Sequence, residues 1–163
     1  MSGRAAFLDR DGTINEKAAE GDYITTPERF RFLEGAEQAV RMLACDGWLV
    51  VVVTNQRGVA LGRMTLEDVD RVNARMAHLP ISGVFVCPHE RDSCDCRKPG
   101  TGLFEQAHGA FSEIEFGQSV VIGDAESDVL AGRAIGARTF RVGPPPLPSL
   151  LDVARNIVSG TAA

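Results

Sequence analysis

No apolar run in this sequence approaches the roughly 20 residues needed to span a bilayer, and no secretory h-region opens it. The expectation is therefore a cytoplasmic protein with no membrane partner. Basic blocks are missing too: 17 Lys and Arg face 22 Asp and Glu, for a formal net charge of −5, which argues against a nucleic-acid partner. Small phosphorylated metabolites stay open, because they need positive charge only locally. There is no internal repeat and no linker, so the 163 residues are expected to form one domain with a real core, acting as a monomer. Cysteine is scarce and unevenly spread. Of four residues, three crowd between positions 87 and 96 while Cys45 stands apart, which suits a metal cluster better than a disulfide framework.

What is present alternates between strand-like and helix-like patterns. Ala5 to Leu8 read as a short buried strand broken by Gly12, and Trp48 to Thr54 form a continuous β-branched run of the kind covered on both faces. Gly83 to Val86, Ser119 to Ile122 and Ala137 to Val142 read as three further strands. Between them, helical spacing predicts helices over Glu34 to Ala44, Thr65 to about His78, Gly102 to Gly109 and Ser127 to Ile135, with a last one over Ser149 to Val158. Cys45 falls at a helix end and is expected to be a small buried hydrophobe; His78 and His108 are expected at the surface. Residues Ile14 to Phe32 read as a loop or flap over the first strand, too short for a cap domain. Short β-α connections of this kind predict an α/β fold: a single-domain, Rossmann-like parallel sheet of about five strands with helices on both faces.

The strand ends carry the chemistry. Asp9 and Asp11 stand one residue apart where the first apolar run stops, so both side chains can project from the carboxyl edge of the sheet, where open α/β sheets bind ligands. Such a pair can share a hard cation, or divide the labour of nucleophile and proton donor. Thr54 and Asn55 end the second strand with a hydroxyl and free backbone N–H groups. After the third strand come Cys87-x-His89 and Cys94-x-Cys96, three thiolates and one imidazole. Tetrahedral zinc accepts that set in closed, structural sites. Lys98 follows this loop, and Asp124 and Asp128 follow the fourth strand. Three carboxylates at one edge repel unless a cation joins them, and acid-rich oxygen coordination favours magnesium. A carboxylate nucleophile, a metal and an anion cradle together indicate phosphoryl transfer through an aspartyl-phosphate.

Asp9-Arg10-Asp11-Gly12-Thr13, Thr54-Asn55, Lys98 and Gly123-Asp124-x-x-x-Asp128 resemble the four motifs of the haloacid dehalogenase superfamily of phosphohydrolases, over about residues 5 to 143. Thr54-Asn55-Gln56-x-Gly58, Cys87-Pro88-His89 and Cys94-Asp95-Cys96-Arg97-Lys98-Pro99 are similar to its capless branch, which holds heptose 1,7-bisphosphate phosphatases and the histidinol-phosphate phosphatase domain. The resemblance implies that Asp9 attacks phosphorus, and that Asp11 protonates the leaving oxygen and then activates water. It implies that Asp9, the Asp11 carbonyl and Asp124 bind Mg2+, that Cys87, His89, Cys94 and Cys96 bind Zn2+, and that Thr54 and Lys98 hold phosphoryl oxygens. Asn55 and Arg97 would lie close to a sugar-phosphate substrate, heptose bisphosphate first and histidinol phosphate second. The remote alternative is an inactive, zinc-stabilised binding module. Two positions depart from the family pattern: Ala125, where a basic residue often stands, and Leu61, where an Arg often stands.

Overall fold

The computed structural model describes residues 3–160. Five strands form one all-parallel sheet in the order β3-β2-β1-β4-β5: β1 (Ala5–Leu8), β2 (Leu49–Asn55), β3 (Gly83–Cys87), β4 (Val120–Gly123) and β5 (Arg138–Arg141). The chain therefore starts in the middle strand, builds outward to one edge, then crosses back to build the other. Phe7 pairs with Val51 on one side and Val121 on the other. That register brings the residues after β1 level with the ends of β2 and β4.

The alternation of side chains along the strands splits the core into two layers. Ala6, Leu8, Val50, Val52, Val120 and Ile122 face one side, against helices α1 (Ala36–Cys45), α2 (Leu66–Asn73) and α5 (Leu150–Ser159). Ala5, Phe7, Val51, Val53 and Val121 face the other, against α3 (Gly102–Ala110) and α4 (Glu126–Ala134). Every one of these strand residues is at most 1% exposed, as expected for parallel strands covered twice. Phe104 of α3 meets Phe7 edge to face with ring centres 5.0 Å apart. Thr65 and Asp68 cap α2 reciprocally, so the expected start signal is real; α2 then tightens into a 3-10 turn at Ala74–Met76 instead of running on to His78.

One expectation fails. Cys45 is exposed: the buried stripe of α1 runs through Ala36, Ala39, Val40 and Leu43, and a residue two positions beyond Leu43 points to the opposite side of a 3.6-residue helix. His78 and His108 are exposed as expected. Among the described residues no cap domain interrupts the strands. The segment from Ile14 to Phe32 instead folds back over the sheet edge, pinned by bridges of Asn15 to Asp11 and Phe32 and by the buried side chains of Ile14, Ile24 and Phe30.

Candidate active site

Asp9 stands one residue beyond the Leu8–Val52 and Leu8–Ile122 pairs, and its N–H donates to the Ile122 carbonyl at 3.0 Å. This fixes the carboxylate at the mouth of the central strand. Lys98 reaches it from the far side of the loop after β3: Nζ donates to Asp9 Oδ1 at 2.8 Å, to Asp128 Oδ1 at 2.6 Å and to the Val53 carbonyl at 2.8 Å. Burial raises the Asp9 pKa above the usual carboxylate range against the pull of Lys98, with Asp128 and Asp11 adding repulsion. Burial alone would depress Lys98, but Asp9 and Asp128 outweigh it and hold the ammonium charged.

Two glycines make this convergence possible. A Cβ on Gly12 would lie 2.4 Å from Asp124 Oδ2, and one on Gly123 would lie 2.2 Å from the Asp128 carboxyl group. Asp9, Asp124 and Asp128 each offer an oxygen within 4.8 Å of the others. Asp128 has both oxygens engaged, Oδ1 by Lys98 and Oδ2 by the Ala125 N–H at 3.1 Å. Asp124 is different: Oδ2 accepts from Lys17 at 2.8 Å, while Oδ1 is buried with no donor. An orphaned carboxylate oxygen beside another carboxylate is what a divalent cation needs, so the donor set fits a hard metal held by Asp9 and Asp124.

Asp11 does not join that group. Arg10, itself fully buried, grips its carboxylate from Nε and Nη2 at 3.1–3.2 Å, while Asn15 and Gln56 each donate to it at 2.9 Å. Gln56 Nε2 also donates to Thr54 Oγ1 at 2.8 Å. Thr54 is 1% exposed and, like Gln56, is not among the residues lining the site cavity. Asn55 brackets the backbone of Lys98, accepting from its N–H and donating to its carbonyl at 3.1 Å each. Arg10, Asn15 and Gln56 are supporting residues to which the motifs assign no role, and Asp128 gains one only through its pairing with Lys98.

The loop after β3 draws its four expected ligands together. Cys87 Sγ lies 3.6 Å from His89 Nδ1 and 3.5 Å from Cys94 Sγ, and Cys96 Sγ lies 3.1 Å from His89 Nδ1 and 3.4 Å from Cys94 Sγ. A tetrahedron with metal–sulfur bonds of about 2.3 Å has edges of roughly 3.8 Å, whereas a disulfide would need about 2.05 Å. All three thiols are free. Against burial, bonds from the Arg97 backbone and neighbouring thiols bring Cys94 down to about 7, while burial and those thiols push Cys96 up to about 12. Crowded sulfurs of this kind can hold a thiophilic cation. Arg57 of the β2 turn pairs with Glu90 and ties the loop to the sheet edge.

A cavity of 310 Å3 opens over Asp9, bounded by Asp11, Lys98, Asp124, Asp128 and Arg97 and roofed by residues 17–24 of the flap. Asn55, Arg97, Lys98 and Ser127 also line a neighbouring space of 730 Å3, together with Arg91 and Thr101. Arg97 faces both, and its Nη1 is buried without a partner. Ala125 lines the first cavity; Leu61 lines neither and is 41% exposed.

Residues 95–143 match the HAD-hydrolase-like family model. The chain is 34% identical over 153 residues to the D-glycero-beta-D-manno-heptose-1,7-bisphosphate 7-phosphatase of Haemophilus ducreyi, covering 85% of this chain and 82% of that protein. It is 38% identical over 138 residues to the D-glycero-alpha-D-manno-heptose-1,7-bisphosphate 7-phosphatase of Mycobacterium tuberculosis, covering 80% and 72%. The crystal structure of the D,D-heptose 1,7-bisphosphate phosphatase from B. bronchiseptica, complexed with magnesium and phosphate, superposes with a TM-score of 0.84 at 25% identity over 96% of this chain and 99% of that one.

Proposed function

This chain belongs to the HAD-like phosphatases and is a phosphoric monoester hydrolase; from that premise we propose that it removes the 7-phosphate of a D-glycero-D-manno-heptose 1,7-bisphosphate through an aspartyl-phosphate on Asp9. The observation that carries this reading is the Asp9 carboxylate, buried beside the Lys98 ammonium and facing a cavity where Asp124 Oδ1 is left without a donor and so open to a cation. The heptose names of its relatives favour that substrate over histidinol phosphate. An inactive binding module is disfavoured by the convergence of every acid on one cavity.

Asp9, held by Lys98, attacks phosphorus, and Asp11, aimed by Arg10, Asn15 and Gln56, protonates the departing sugar oxygen. Asp11 then takes a proton from the water that releases phosphate from Asp9. Asp9, Asp124 and the Asp11 carbonyl would hold Mg2+, which when bound supplies the divalent charge that lets these carboxylates coexist and offsets that of the phosphoryl oxygens. Lys98 adds a fixed positive charge at the same point, and Thr54 is an inner support through Gln56. Cys87, His89, Cys94 and Cys96 would hold Zn2+ with no open position, so its contribution is to fix the loop bearing Arg97 and Lys98. The unpartnered Arg97 nitrogen is available to a substrate oxygen, and the larger space beyond it has room for the rest of a sugar bisphosphate. The reduced thiol cluster fits the reducing cytoplasm.

Orthophosphate release tests the reading. With magnesium present, heptose 1,7-bisphosphate should lose its 7-phosphate faster than any other metabolite in a panel that includes histidinol phosphate. Preference for histidinol phosphate would overturn the substrate assignment.

A further inference from the structure

The flap brings a cation into the site that the phosphatase motifs do not use. Lys17 Nζ lies 2.8 Å from Asp124 Oδ2, from a side chain that is 61% exposed, while the Asp124 side chain is only 15% exposed. Lys17 is thus a solvent-reaching lysine laid across the buried acid expected to take magnesium. Its backbone lies between two anchors: Glu16 N–H donates to the Arg31 carbonyl at 2.8 Å, and Ile24 is buried in the core. The residues between them, including Gly21, whose α-carbon faces open space, roof the catalytic cavity.

The charges around that cavity explain why a lysine sits there. Among the described residues, the ammonium groups paired with the carboxylates of Asp9, Asp124 and Asp128 are those of Lys98 and Lys17. Lys98 is buried and has three fixed partners; Lys17 has one. A divalent cation on Asp124 makes the ammonium at 2.8 Å electrostatically unfavourable there, and it simultaneously turns the cluster from a net anion into a net cation. The released Lys17 then has a flexible stem, a water-exposed start and an incoming phosphate dianion within the same cavity.

We propose that Lys17 is an exchangeable counter-ion of the active site: it occupies Asp124 while the metal is absent, gives way when Mg2+ binds, and then serves as a phosphate-binding cation on the flap. This exchange rests on Asp9 and Asp124 being the magnesium ligands. It gives an exposed lysine a part in phosphate binding that the four family motifs do not contain. Lys17→Met is a clean probe, because the side chain is mostly solvated and its loss leaves the core untouched.

Calorimetric titration decides it, using whole protein freed of magnesium by dialysis without chelator so that the thiol cluster is undisturbed. Magnesium alone should bind Lys17→Met about tenfold more tightly than the wild type, because a competing charge has gone. Orthophosphate should bind the magnesium-loaded Lys17→Met about tenfold more weakly than the loaded wild type, with Lys17→Arg recovering most of the difference. An unchanged magnesium affinity, or an unchanged phosphate affinity, overturns the exchange. A wild-type protein that takes up no magnesium overturns the metal reading, and the inference with it.

Discussion

Lys98 Nζ and Asp128 Oδ1 lie 2.6 Å apart, and both side chains are only 2% exposed. Asp128 is thereby the residue that lets a buried ammonium stay charged beside Asp9, the proposed nucleophile, since Asp9 alone would otherwise be its only counter-ion as well as the proposed attacking group. Removing one partner of a buried pair leaves uncompensated charge, at a cost of about 3–5 kcal/mol. Asp128→Ala should therefore lower the free energy of unfolding by about that amount, with part of the loss arising from the Ala125 N–H it also accepts. Denaturant unfolding followed by circular dichroism checks this, and a loss below about 1 kcal/mol would count against the pairing.

Asp124 should carry a stability penalty that the metal relieves. Burial raises its pKa, opposed by Lys17 and reinforced by Asp9. A folded-state value above the unfolded one means that the folded chain binds the proton more tightly. This group then favours folding at low pH and ceases to as pH rises through its folded pKa. Without magnesium, Asp124→Asn should melt at a higher temperature than the wild type at pH 7, and the gap should narrow toward about pH 4. Saturating magnesium should reverse the order, because it stabilises only the protein that binds it. Calorimetric melting with and without the ion reads both halves; a metal-free variant less stable than the wild type would contradict the penalty.

The zinc reading makes a separable claim. Cys96 immediately precedes Arg97 and Lys98, and Asn55 clamps the Lys98 backbone at 3.1 Å on both sides. Cys96→Ser should release zinc, lower the melting temperature and raise KM severalfold. Hydrolysis should persist at a reduced rate, because Asp9 and Asp11 follow β1 and their own contacts hold Asp11. Elemental analysis of wild type and variant, alongside steady-state kinetics, checks it. A fully folded and active wild type carrying far less than one zinc per chain would rule the structural zinc out.

How much of this fold and site is legible in the chain alone depends on range. The strand runs, the Asp9-x-Asp11 pair, the clustering of Cys87, His89, Cys94 and Cys96 and the capping of α2 are local patterns, and the elements reappear with boundaries shifted by a residue or two, apart from the early stop of α2. Cys45 is misplaced when hydrophobic content is weighed without its angular position on α1. Arg10 and Gln56 escape for a different reason: a buried guanidinium or amide looks like any surface polar group until the fold brings Asn73 to Arg10 at 2.8 Å and Asp11 to Gln56. Asn55, expected near substrate, lines both cavities while its amide holds the Lys98 backbone, whereas Thr54 is buried and bonded to Gln56, a contact that only the folded chain brings out. Lys17 carries no signal because its partner lies 107 residues away.

The central claim is that Asp9 is phosphorylated and that Asp11 governs the proton transfers that make and break the intermediate. Asp11→Asn keeps the nucleophile and removes the acid–base group, so mixing it with magnesium and a substrate of good leaving group, quenching with acid and mapping peptides by mass spectrometry reads the intermediate directly. The expected result is one phosphoryl group on the peptide containing Asp9 in that variant, and none in Asp9→Asn treated identically. A phosphoryl group mapped to another residue, or covalent phosphate in Asp9→Asn, would contradict it.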